Sequence, residues 1–256
     1  MSRHVYLNDK NQNIPSVTTL INLLNKGDGL TVWANNLGLQ NIKVINYLRE
    51  KAQEGNLLHR IIQVLLSEED LVNKYGIHEV VNMLQDGAIF SQFCNNQRDN
   101  ETLDLSVQQI DDIIDVVEKF LIWREENNFK MIGNIEVEKT VKNDKIGGTI
   151  DLLIDKIRYR GKEYNNVILD IKSSKSFYFD YFLQLGFYRF LLKENTQLDD
   201  VNCMVLTTAK NTEEVNINLH ILNFNQDTEK LLEQYMEVLL ELYYLKKSVK
   251  GLKLTE

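Results

Sequence analysis

The chain has 256 residues, 43% of them apolar and 26% charged, enough to bury a substantial core in one large unit. No apolar run approaches the roughly 20 residues a bilayer span needs, and Met1-Ser2-Arg3-His4-Val5-Tyr6 has no apolar stretch behind its basic start. A membrane partner and a secretory leader are therefore not expected, cytoplasmic residence is, and the net charge of −8 argues against a protein that coats nucleic acid nonspecifically.

Residues 1–130 read as a mostly helical N-terminal lobe. Ser16, after the single proline Pro15, caps the apolar run Val17, Leu20, Ile21, Leu24. Further helical patterns carry Trp33 and Leu37, then Leu48, Ala52 and Leu58 within Asn41 to Leu66, then Ile77 to Phe93. The last, from about Ser106 to Asn127, has the wide apolar stripe Ile110, Ile113, Ile114, Val117, Phe120, Leu121.

Residues 131–256 change period. Ile135, Val137 and Val141 alternate with Glu136, Glu138 and Thr140, as in a half-buried strand. After Gly147-Gly148, Ile150, Leu152 and Ile154 alternate with Asp151 and Asp155, and a polar turn at Arg160-Gly161-Lys162 leads into the strand Val167–Lys172. A helix over Tyr178–Lys193, strands near Val201–Thr207 and Val215–Leu222, and an amphipathic helix from Asp227 to Lys247 complete the order β-β-β-α-β-β-α. This predicts an α/β core with a mixed sheet flanked by helices, joined to the helical lobe in one compact unit.

Chemistry concentrates on adjacent strands. Asp170 and Lys172 are alternate residues, so they share a face while Leu169 and Ile171 point to the other. Asp151 lies on the preceding strand, behind two glycines that permit close backbone approach. Glu138 is one strand earlier and shares a face with Glu136. Three carboxylates and a lysine suit Mg²⁺ or Mn²⁺, hard cations bound through oxygen. The two distant cysteines, Cys94 and Cys203, cannot form a four-cysteine zinc or iron–sulfur site and read as buried small hydrophobes.

Gly148-Thr149-Ile150-Asp151, Leu169-Asp170-Ile171-Lys172-Ser173-Ser174 and Gln184-Leu185-Gly186-Phe187-Tyr188, preceded by Gly55-Asn56-Leu57-Leu58-His59, together resemble the RecB-like branch of the PD-(D/E)XK nuclease superfamily. The pattern is G-x-x-x-H, G-x-x-D, D-x-K and Q-x-x-x-Y, in that order across residues 55–188. More loosely, Pro15-Ser16-Val17-Thr18-Thr19 and Trp33 resemble phage-type exonucleases related to the mitochondrial genome maintenance exonuclease. The resemblance implies a restriction-endonuclease-like core, with His59, Asp151, Asp170 and the Ile171 carbonyl as metal ligands and Lys172 as the catalytic lysine. It further implies that Glu138 assists metal or water, and that Gln184 and Tyr188 orient the phosphate or the lysine.

The expected activity is metal-dependent DNA exonuclease action on single strands or ends, in recombination, repair or phage DNA metabolism, with a recombination or replication protein as partner. A structure-selective endonuclease and an inactive DNA- or partner-binding module are the alternatives. Lys139, Lys142, Lys145, Lys175 and Arg189 are candidate phosphate contacts. Tyr178, Phe179, Tyr181 and Phe182 either offer a stacking platform for single-stranded bases or face the core. No Walker A pattern occurs, so neither a nucleotide cofactor nor a motor is expected, and no iron–sulfur cluster is expected either.

Overall fold

The computed structural model describes residues 5–24, 29–68, 71–85, 105–210 and 214–251. The chain opens with a short antiparallel ladder, β1 (Tyr6–Leu7) with β2 (Asn13–Ile14), and then a series of helices. These are α1 (Val17–Ile21), α2 (Gly29–Leu39), α3 (Val44–Ser67), α4 (Leu71–Tyr75), α5 (Ile77–Gln85) and α6 (Val107–Glu126). Next come β3 (Lys130–Lys142), β4 (Gly147–Tyr159), β5 (Lys162–Lys172), α7 (Phe179–Asn195), β6 (Asn202–Lys210), β7 (Val215–Leu222) and α8 (Gln226–Gly251).

Local signals account for several boundaries. Ser16 accepts from the Thr19 N–H at 3.0 Å at the start of α1. Ser106 and Gln109 satisfy each other's backbone N–H in a capping box that starts α6. Between β4 and β5 the chain reverses through Arg160 and Gly161, both at positive φ (49° and 77°), the requirement of a two-residue hairpin whose twist matches its strands.

Five strands form one mixed sheet in the order β3-β4-β5-β6-β7, antiparallel except for β5 and β6, which run parallel. The parallel pair needs a long crossover, and α7 supplies it. On one face, Leu57, Ile61 and Leu65 of α3 and Ile113, Val117 and Phe120 of α6 pack on Leu152, Ile154, Leu169, Ile171 and Leu206. On the other, Leu183, Phe187 and Leu191 of α7, Leu239 and Leu240 of α8 and Val17 of α1 cover Ile150, Ile168, Cys203 and Val205. Each such side chain contributes about 1.5–3 kcal/mol by leaving water, so the two apolar layers hold the sheet between them.

The structure departs from sequence expectation in three places. Strand alternation predicts Ile150, Leu152 and Ile154 on one face, yet Ile150 joins the second core while Leu152 and Ile154 join the first. The facing of β4 changes at Asp151, where the opposite strand carries Glu138 at a φ of 53°. In α3 the buried apolar face begins at Leu57, and Leu48 is half exposed. The β1–β2 ladder and α4 carry no periodicity long enough to predict. The helix expected over Ile77–Phe93 is present over Ile77–Gln85, and the rest of that expectation, with Cys94, lies outside the described residues.

Candidate active site

Helix α3 presents Gly55, His59 and Gln63 at intervals of four, hence on one face. A Cβ on Gly55 would sit 2.6 Å from Ser173 Oγ, so the bare backbone lets α3 lie close against the segment that follows Lys172. That contact delivers His59 to the sheet. Its Nε2 is buried without a hydrogen-bond partner, 3.4 Å from Asp151 Oδ2. Burial, then the nearby Lys172 ammonium, pushes its pKa down to about 4, so the imidazole is neutral at pH 7 and can act as a ligand.

Gln63 was not predicted from the sequence. It is buried, and its Nε2 donates to the Asp151 carbonyl at 2.9 Å and to Glu138 Oε1 at 3.3 Å, tying β3 and β4 to the helix. The available signal was its place one helical turn after the motif histidine. Glu138 sits between the paired positions Val137–Leu152 and Lys139–Ile150 in the left-handed region, strained for a non-glycine residue. One ligand atom each from His59, Glu138 and Asp151 lie within 4.8 Å of one another. Glu136, by contrast, pairs with Lys139 at 2.6 Å.

Asp151 Oδ2 accepts the Ile171 N–H at 3.0 Å, which fixes β4 to β5 at the level of the site. Asp170 is 1% exposed; Lys172 Nζ lies 2.7 Å from its Oδ2, and Oδ1 has no partner. Burial first, and then the charge of Asp151, raises the Asp170 pKa to about 7. Burial also raises that of Asp151. For Lys172, burial pulls the pKa down but Asp170 and Asp151 outweigh it, leaving the ammonium held above its ordinary value.

Asp170, Asp151 and a neutral imidazole thus lie about one ammonium, Glu138 adjoins His59 and Asp151, and His59 Nε2 and Asp170 Oδ1 are buried and unsatisfied. Buried polar atoms of this kind normally have partners. An oxygen-rich set with orphaned donors and excess negative charge fits a hard divalent cation.

The glycine pair before Asp151 is wedged between two tyrosines. A Cβ on Gly147 would meet the Tyr6 ring at 2.6 Å, and one on Gly148 would meet Tyr188 Cε1 at 2.4 Å. Tyr6 OH also bonds Thr149 Oγ1 at 2.8 Å, and the Gly147 N–H donates to the Pro15 carbonyl at 3.0 Å. The N-terminal segment therefore helps to fix the start of the Asp151 strand. Tyr188 is buried, its OH accepts from Gln184 Nε2 at 3.0 Å, and burial followed by Asp170 raises its pKa well above the ordinary value.

The candidate phosphate contacts divide. Lys175 is exposed just past Lys172, Lys139 pairs with Glu136, and Lys142 Nζ donates to the Leu7 carbonyl at 2.7 Å. Arg189 is not brought to the site. Its guanidinium pairs with Glu229 of α8, donates to the Val201 carbonyl at 2.8 Å and lies over Phe224. Cys203 is buried, and burial raises its thiol pKa to about 12, as in a packed, inert cysteine.

The Asp170 carboxyl fixes a pH dependence. Its folded pKa lies above the ordinary 3.8, so the folded chain holds this proton more tightly than the unfolded chain does. In EDTA, stability is expected to fall as pH rises from 3.8 to about 7, by at most about 4 kcal/mol from this group. Mn²⁺ must displace the same proton, so its affinity is expected to rise across pH 6 to 8 with proton release, measured calorimetrically in buffers of differing ionisation enthalpy. A pH-independent Mn²⁺ affinity would show that the bound ion does not engage Asp170.

A family model described as the PD-(D/E)XK nuclease superfamily matches residues 33–252 of the chain. No curated protein matches it. Among solved structures, one described as "Crystal structure of SSO0001" is similar at 12% identity, covering 71% of this chain and 74% of that one. Its TM-score of 0.27 is too low to carry an argument. Among the described residues, no helix is long and apolar enough to cross a membrane.

Proposed function

The chain belongs to the PD-(D/E)XK nuclease superfamily, and from that premise we propose that it is a Mg²⁺- or Mn²⁺-dependent deoxyribonuclease acting as an exonuclease on single strands or DNA ends. The observation that carries the proposal is the buried Asp151–Asp170 pair beside a charged Lys172 and a neutral His59. A cytoplasmic role in recombination, repair or phage DNA metabolism, through the RecB-like branch and beside a recombination or replication protein, belongs to the same proposal.

His59, Asp151, Asp170 and the Ile171 carbonyl would hold the cation, with Glu138 beside them. The bound cation supplies Lewis acidity toward a phosphoryl oxygen and lowers the pKa of an attacking water. Lys172 positions that water and offsets the negative charge that grows on phosphorus in the transition state. Glu138, 4.8 Å or less from its His59 and Asp151 neighbours, accepts a proton from the water. Tyr188 and Gln184 brace the start of β4 from the other face, and Lys139, Lys142 and Lys175 attract the backbone. Arg189 is left out of this set, its guanidinium being held by Glu229 and the Val201 carbonyl.

End-labelled linear DNA, single- and double-stranded, incubated with Mg²⁺, Mn²⁺ or EDTA beside a closed circle, tests this directly. Metal-dependent loss of the linear forms with the circle spared is the expected result, and the label gives the polarity. Cutting of the circle would assign an endonuclease instead. No cleavage with any metal would leave a nuclease-derived binding module.

A further inference from the structure

Two ladders of aromatic rings lead outward to the start of α7, the first of them from the site itself. The first starts at Lys172, whose Nζ lies 5.3 Å from the centre of the Tyr181 ring, and continues edge-on from Tyr181 to Tyr178 at 5.5 Å. The second runs from Phe224 to Phe182 at 4.9 Å and from Phe182 to Phe179 at 5.9 Å, both stacked. The inner rings, Tyr181 and Phe182, are part of the packing around the second core. The outer ends are adjacent in sequence at the start of α7, and both are open to solvent: Tyr178 is 53% exposed and Phe179 62%.

Two exposed aromatic rings side by side at one helix start offer flat apolar faces to a ligand. Their place specifies it. Tyr178 is two rings away from the Lys172 ammonium, so a substrate strand with a phosphate at that lysine passes over these rings with its neighbouring nucleotides. Exposed Lys175 stands on the same connection, where it can follow the strand's phosphates. Unpaired bases have free π-faces that stack on such rings whatever their sequence. Bases inside a duplex are already stacked on both faces, and only its terminal pairs have a face to offer.

We propose that Tyr178 and Phe179 form a base-stacking subsite that holds unpaired nucleotides next to the scissile phosphate and makes the protein select single strands over duplex. This deepens the nuclease proposal and rests on it for the position of the scissile phosphate, but stacking itself requires no cleavage.

The test is therefore a binding measurement in Ca²⁺, using fluorescein-labelled oligothymidine, an oligonucleotide carrying 2-aminopurine, and a blunt duplex of equal length. The doubly substituted Tyr178→Ala/Phe179→Ala protein is compared with Tyr178→Trp/Phe179→Tyr. Both positions are exposed, so folding is expected to be retained, with thermal unfolding as the check. The alanine pair is expected to lose about 10-fold or more in single-strand affinity, to abolish 2-aminopurine quenching, and to change duplex affinity less than about 2-fold. The aromatic pair is expected to keep both single-strand affinity and quenching. Equal loss for single strand and duplex, or no loss for either, would overturn the subsite. If the wild type cleaves nothing yet the binding contrast is present, the nuclease proposal fails and the stacking subsite stands.

Discussion

Lys172→Ala is expected to lower metal-dependent DNA cleavage by about 10³-fold, in the upper part of the range seen when one transition-state donor is removed, while leaving Mn²⁺ binding intact. Lys172 Nζ lies 2.7 Å from Asp170 Oδ2 and is held charged by Asp170 and Asp151 against the effect of its own burial. Removing it takes away the ammonium beside the Asp170 carboxylate. The two carboxylates remain, and their excess charge attracts a divalent ion at least as well as before. Lys172→Arg is not expected to restore the rate, because a planar guanidinium cannot occupy the place of a compact ammonium. Single-turnover cleavage and Mn²⁺ titration calorimetry on the same preparations check both halves. Loss of Mn²⁺ binding together with cleavage would give Lys172 a structural role instead. Asp170→Asn is the contrast, expected to lose binding and cleavage together.

Gly148→Val is expected to cost about 3 kcal/mol of stability, the upper part of the usual range for overpacking, and to lower the unfolding midpoint by about 6–12 °C. A Cβ at this position would lie 2.4 Å from Tyr188 Cε1 and 3.3 Å from Val17 Cγ2. Tyr188 and Val17 are both buried, so neither can swing into solvent. Either β4 moves, carrying Asp151 with it, or the Tyr188 ring leaves its place beside Gln184. Mn²⁺ affinity is therefore expected to fall as well. Adding Tyr188→Leu should recover part of the stability, a coupling that a double-mutant cycle measures. Gly38→Ala is the control: its Cβ would meet nothing within 4 Å in α2, and the change is expected to be neutral or slightly stabilising. Equal losses at the two glycines would refute the packing argument.

Much of the fold follows from patterns that a single element carries alone. Helix and strand periods locate α3, α6 and the five sheet strands to within a few residues, because burying one face imposes 3.6-residue or 2-residue spacing wherever an element lies on a core. The four motifs mark the candidate site residues because each is local: His59 one helical turn after Gly55, Asp170 and Lys172 on alternate strand positions, Gln184 and Tyr188 one turn apart.

What periodicity does not contain is contact between elements. Glu136 and Glu138 lie on one face of an ideal strand, and only the left-handed turn of the backbone at Glu138 separates the residue near His59 from the one paired with Lys139. Arg189 looks like a phosphate ligand until α8 is in place and Glu229 meets it. Gln63 acquires its role only where α3 crosses β3 and β4, and the glycines before Asp151 explain themselves only when Tyr6 and Tyr188 close on them from distant parts of the chain. Spacing along one chain segment carries the longer helices and strands, the family resemblance and the chemical types at the candidate site, but not the β1–β2 ladder or α4. The tertiary structure alone decided which charges are already paired, which backbone is strained and which rings remain exposed, because each depends on what distant segments bring within a few ångströms.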